Sequence, residues 1–215
     1  MLLVGRKAGE EMSVAVPRLS RTTAVIQAFA QTGRKVILSC LSRRSCIASV
    51  RVTVECLKRF GVAVRPVAVR FLLEIPDLKL MYTSGLSPEE IVKAQGAESF
   101  LSLPAGDGGG WNGHLVAAGN GFLIDPSFDQ GLAAFGETGK IMVDAPPMAA
   151  VFPLQGRRFK PGVEAEYAAI LDDGNRIVVR YLARPDRSFL CAPAWELDYQ
   201  LPLIGAICHE MRRQL

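Results

Sequence analysis

Between Gly113 and Phe128 the chain reads GHLVAAGNGFLIDPSF, two short apolar runs on either side of a tight Gly-Asn-Gly turn. Hydrophobic runs of similar length that meet at such a turn fold back on each other as antiparallel strands. This commits the middle of the chain to a sheet. The same stretch carries His114, one of only two histidines, and a lone aspartate, Asp125. A hairpin built for packing alone gains nothing from an imidazole where one strand begins and a carboxylate where the next ends. With the turn centred near Asn120, residues whose numbers sum to roughly 239 or 240 fall opposite one another, so His114 and Asp125 are direct or near-direct cross-strand neighbours. A carboxylate there can accept the ring N–H, set the tautomer and leave the other nitrogen for a thiol.

The surrounding segments define the fold class. Ser20 caps a helix over residues 18–32 whose apolar face holds Ala24, Val25, Ala28 and Phe29, and Gly33 is expected to end it. KVILSCLS then reads as a short strand or buried connection. SCIASVRVTVECLKRFG alternates like a strand, but Ile47, Val50, Val54 and Leu57 follow helical spacing, and Lys58, Arg59 and Gly61 form a basic last turn and a stop, so a helix is expected. VAVRPVAVRFLLEI is a strand edged at Pro66, SPEEIVKAQ a short helix, PAGDGGGWNG a mobile glycine-rich flap, and KIMVDAPPM a further strand. VEAEYAAILDDGNRIVVRYLARP is a second hairpin, and LPLIGAICHEMRRQ a helix with Leu203, Ile204, Ile207 and Met211 inward. Helices followed by sequence-adjacent strands imply an α+β fold, with the helix that starts at Ser45 packed on an antiparallel sheet. Residues 1–215 are read as one domain, in which 150–215 add a hairpin and a helix.

Bulk properties narrow the function. Apolar residues make up 49% and charged residues 21%, which excludes a disordered chain, and no segment has the apolar length of a membrane span. Lys and two Glu interrupt the N-terminal stretch where a signal peptide needs an unbroken apolar run, so the chain is placed in the cytoplasm. Five cysteines without a CxxC pair suggest neither a disulfide framework nor a zinc site. The net charge of +4 is spread as RR, KR and RR pairs and reads as a solvated face; no basic stripe with interleaved aromatics points to nucleic acid.

Cys46 lies in the first turn of the second helix if Ser45 caps it. Free N–H groups and the dipole there favour a thiolate, Arg43, Arg44 and Arg51 add positive potential, and the sulfur shares a face with Val50, Thr53 and Leu57. The other four cysteines read as small apolar residues. Helix-start Cys, strand His and next-strand Asp is the chain order of a thiol acyl-transfer site. Trp111, three residues before His114, is placed to wall a substrate groove.

SCIASVRVTVECLKRFGVAVRPVAV followed by GHLVAAGNGFLIDPSF resembles the core of the transglutaminase-like, papain-related superfamily. The likeness spans Ser45 to Phe128 and rests on Leu57, Gly61, Val62, Arg65, His114, Asp125, Pro126 and Ser127. The resemblance implies a papain/transglutaminase-like core and a Cys46–His114–Asp125 triad acting through a thioester on a peptide, protein or small amide, with no metal or organic cofactor. An arylamine N-acetyltransferase-like, acyl-CoA-dependent transferase is a second reading, although the Arg-Gly-Gly-Xaa-Cys and Asp-Val-Gly-Phe signatures of those enzymes are missing. An inactive binding module of the same fold is a third.

Overall fold

A computed structural model describes residues 20–41, 46–85, 100–102, 113–128, 150–170, 174–196 and 198–215. Helix α1 runs Arg21–Cys40, and its first turn is capped as expected, the Ser20 hydroxyl accepting the Thr23 N–H at 3.2 Å. Gly33 does not end it. A Cβ at Gly33 would lie 2.5 Å from the Phe29 ring, so the glycine serves as a seat for Phe29 inside a helix that continues through the segment expected to be a strand or connection. The extra turns bury Ile37 against the same core. Helix α2, Cys46–Arg59, forms despite three alternating valines, because Val50, Val52 and Leu57 are all buried and that burial overrides their modest β preference. It stops at Gly61, whose φ of 77° lets Val62 N–H reach back to the Leu57 carbonyl at 3.0 Å. Helix α3, Leu201–Gln214, buries Leu203, Ile204, Ile207 and Met211 as its spacing indicates.

The long strand β1, Arg65–Ile75, organises the sheet. Along one edge its first half pairs with β4 (His114–Gly119) and its second half with β2 (Leu80–Ser84), while β8 (Arg176–Ala183) occupies the other edge. Beyond β4 come β5 (Phe122–Asp125) and β6 (Ala150–Pro153); beyond β8 comes β7 (Glu164–Ile170), and the short β3 (Phe100–Ser102) pairs parallel with β2. The other pairings are antiparallel, giving an α+β fold with a nearly closed, barrel-like sheet. At the gap Phe152 of β6 stacks on Tyr167 of β7 at 4.2 Å between ring centroids, and the Tyr167 hydroxyl donates to the Pro153 carbonyl at 3.2 Å.

Strand alternation splits the core in two. Ala68, Leu115, Ala117 and Ile124 face the helices and pack with Phe29, Val50, Leu57 and Ile207. Val67, Val69, Phe71, Val116, Leu123 and Tyr181 point into the barrel. Two of the family-pattern residues work at the seams: Arg65 donates to the Phe159 carbonyl at 2.7 Å and Gly61 makes the turn from α2 towards β1. No helix among the described residues is long and apolar enough to cross a membrane. The expected helix SPEEIVKAQ, the strand KIMVDAPPM, Arg43, Arg44, Ser45 and Trp111 lie outside the described residues.

Candidate active site

The hairpin forms where its sequence places it, turning through Asn120 and Gly121 at φ 49° and 80°, with the Asn120 amide also tied to the Ala63 carbonyl at 2.7 Å. Its register differs from expectation. Ala117 pairs with Ile124 and Gly119 with Phe122, so paired numbers sum to 241. His114 and Asp125 are therefore diagonal neighbours on one face and not directly opposite. The physical reason is that Asn120 and Gly121 alone form the two-residue turn, which moves its centre half a residue beyond Asn120. A slip of one position would have put the two side chains on opposite faces of the sheet.

The diagonal suffices. His114 Nε2 lies 2.7 Å from Asp125 Oδ2, and the two side chains are 3% and 0% exposed. The Tyr181 hydroxyl donates to the same Oδ2 at 3.0 Å, while Oδ1 accepts the Ser127 N–H at 3.0 Å and the Ser127 hydroxyl at 3.3 Å. A buried carboxylate is tolerable only when its lone pairs are met in this way. Burial pushes the Asp125 carboxyl up, but the charge and hydrogen bond of His114 with the Ser127 and Tyr181 donors outweigh it and hold the group below its usual range. Burial and the neighbouring Asp125 charge together hold the Tyr181 hydroxyl well above its ordinary value. Phe71 lies against the imidazole at 4.7 Å and against the Tyr181 ring at 5.3 Å, fixing both planes.

Tyr181 went unnoticed in the sequence, although its inward position in RIVVRYLA carries a signal, since a buried tyrosine hydroxyl needs a partner. Ser127 entered only through the family pattern. The C-terminal hairpin is thus built into the site.

Cys46 stands on the helix side of the sheet, half-buried and packed on the core that contains Leu115. Its thiol is pushed up to about 12, first by burial, and the charge of Asp125 adds to the rise; the backbone N–H groups of Leu115, Ile47 and Cys46 work the other way. This corrects the expectation of a resting thiolate, because desolvation at the helix start exceeds the help from nearby N–H groups. The contact with the Leu115 backbone places the sulfur one peptide unit from His114. Among the described residues no hydrogen bond joins it to the imidazole. His114 and Asp125 are brought together, and Cys46 is seated beside the same strand on its other face.

Of the other cysteines, Cys56 and Cys208 are buried and Cys40 and Cys191 exposed, and the second histidine, His209, lies at the surface. Among the described residues no cluster of His, Cys, Asp or Glu could hold a metal ion. Fold and site together define an α+β protein whose barrel-like sheet holds a buried His–Asp–Tyr cluster beside a helix-start cysteine. No protein-family model, curated protein or solved structure matches this chain.

Proposed function

We propose that the chain is a thiol-dependent acyl-transfer enzyme with a transglutaminase-like, papain-related core, acting in the cytoplasm on a peptide, protein or small amide. The observation that carries this reading is the His114 Nε2–Asp125 Oδ2 bond, buried and backed by Tyr181, at the strand end against which Cys46 packs. That bond engages Nε2 and leaves Nδ1 to take a proton.

With its thiol near 12, Cys46 is neutral at rest at pH 7, so proton transfer has to accompany attack. For the attack the His114 ring must present Nδ1 round the start of β4 to the helix face, where it removes the thiol proton as Sγ bonds to the substrate carbonyl carbon, and the backbone N–H groups around the sulfur receive the developing oxyanion. Collapse of the tetrahedral intermediate expels the amine, which takes the proton from His114 and leaves an acyl thioester on Cys46. Water or an acceptor amine, deprotonated by His114, then releases the acyl group and restores the thiol. Asp125 stabilises the imidazolium throughout.

The test uses p-nitrophenyl acetate as acyl donor and maps the acetyl group by mass spectrometry. Acetylation is expected on Cys46, absent in Cys46→Ala and slowed by about 10²–10⁴-fold in His114→Ala, with circular dichroism confirming the fold. Acetylation spread over the exposed cysteines, or indifferent to His114, overturns the reading. The neutral thiol favours one rival, an inactive binding module of the same fold, and a folded protein that never acylates at Cys46 would establish it.

A further inference from the structure

The end of α2 opposite Cys46 borders a cavity of about 470 Å³. Its walls are Arg21 and Thr22 at the start of α1, the turn from Arg59 to Val62 where α2 stops, and Arg212 in the last turn of α3. Three arginines line this space and no lining residue is acidic. The carboxylates of the neighbouring helix segments are engaged elsewhere: Glu55 pairs with Arg51 and Glu210 with Arg213, each at 3.0 Å. Among the described residues Arg21, Arg59 and Arg212 form no ion pair. Arg212 is steadied by the Phe60 ring, its Cζ 5.9 Å from the centroid. Like charges gathered around one hollow repel one another, and an anion between them converts that repulsion into attraction.

We propose that this cavity binds a phosphorylated small molecule. Each guanidinium offers five N–H donors in a planar fork, so three of them present more donors than the two oxygens of a carboxylate can accept, whereas a phosphate or diphosphate offers oxygens on several sides. The volume falls within the usual range for small-ligand pockets. Two of the basic pairs that read as a solvated face in the sequence, Lys58-Arg59 and Arg212-Arg213, thus each contribute one arginine to a shared hollow. The site lies about 20 Å from Cys46, the length of the 14-residue α2. It is independent of the acyl-transfer reading.

Isothermal titration of the full chain with sodium pyrophosphate at low ionic strength tests the assignment, with adenosine 5′-diphosphate as a second arm that shows whether the cavity admits more than the phosphates. One saturable site is expected. Arg59→Ala and Arg212→Ala should each weaken it at least tenfold and Arg59→Lys by less, while Arg158→Ala, an exposed arginine outside the cavity, should leave it within twofold. All three positions are exposed, so the fold is not at risk. Failure of both phosphate probes to bind saturably, an equal loss in Arg158→Ala, or tighter binding of citrate overturns the proposal.

Discussion

Replacing Tyr181 with Phe removes one hydroxyl from a fully buried cluster and keeps the ring that packs on Phe71 at 5.3 Å. The lost contact is the 3.0 Å hydrogen bond to Asp125 Oδ2, after which that oxygen retains only His114 Nε2 at 2.7 Å. A hydrogen bond to a charged group contributes about 1.5–3 kcal/mol, so Tyr181→Phe should destabilise the protein by about 2 kcal/mol at pH 7. For a chain of this size that corresponds to a fall in Tm of about 4–8 °C. The effect also has a pH signature. The folded-state carboxyl of Asp125 lies below its ordinary value of 3.8, so its ionisation stabilises the fold above the unfolded pKa, and that contribution is lost as pH falls through the folded value. Because the Tyr181 hydroxyl favours the ionised form, its removal raises the folded pKa. The gap between wild type and variant should be full at pH 7 and shrink below about pH 4. Urea denaturation followed by tryptophan fluorescence from pH 7 down to pH 3 measures it. A gap of the same size at both ends of that range, or a variant as stable as wild type at pH 7, would refute the role given to Tyr181.

Other expectations follow from the same coordinates. At pH 7 iodoacetamide should modify the exposed Cys40 and Cys191 before Cys46, whose rate should climb steadily with pH towards its value of about 12; mass spectrometry resolves the order. Phe71→Ala should cost about 3–5 kcal/mol in denaturant unfolding, because this fully enclosed ring touches His114, Tyr82, Phe128 and Tyr181. Two glycine substitutions should have opposite signs. At Gly119 a new Cβ would meet the Ala63 carbonyl oxygen at 2.4 Å, an overpacking of backbone that costs at least about 1–3 kcal/mol, whereas Gly205 on the exposed side of α3 has open space and should gain about 0.5–1 kcal/mol as Ala.

Local chemistry accounts for what could be read without coordinates. Asn120-Gly121 makes a hairpin wherever it is found between apolar runs, Ser20 caps a helix with its own hydroxyl, and the spacing of Val50, Leu57, Ile204 and Met211 names the buried faces of α2 and α3. His114 and Asp125 were legible as partners for the same reason, since both belong to one hairpin and their separation is set within it. The tertiary structure decided matters that depend on distant groups. Helix α1 runs on past Gly33 because its extra turns bury Ile37 in the core, and Tyr181 reaches Asp125 from a strand 56 residues along the chain. The state of Cys46 belongs to the same group. A helix start alone favours the thiolate, but the packing of that start against Leu115 withdraws the sulfur from water, and desolvation is a property of everything around an atom that no local stretch of residues contains.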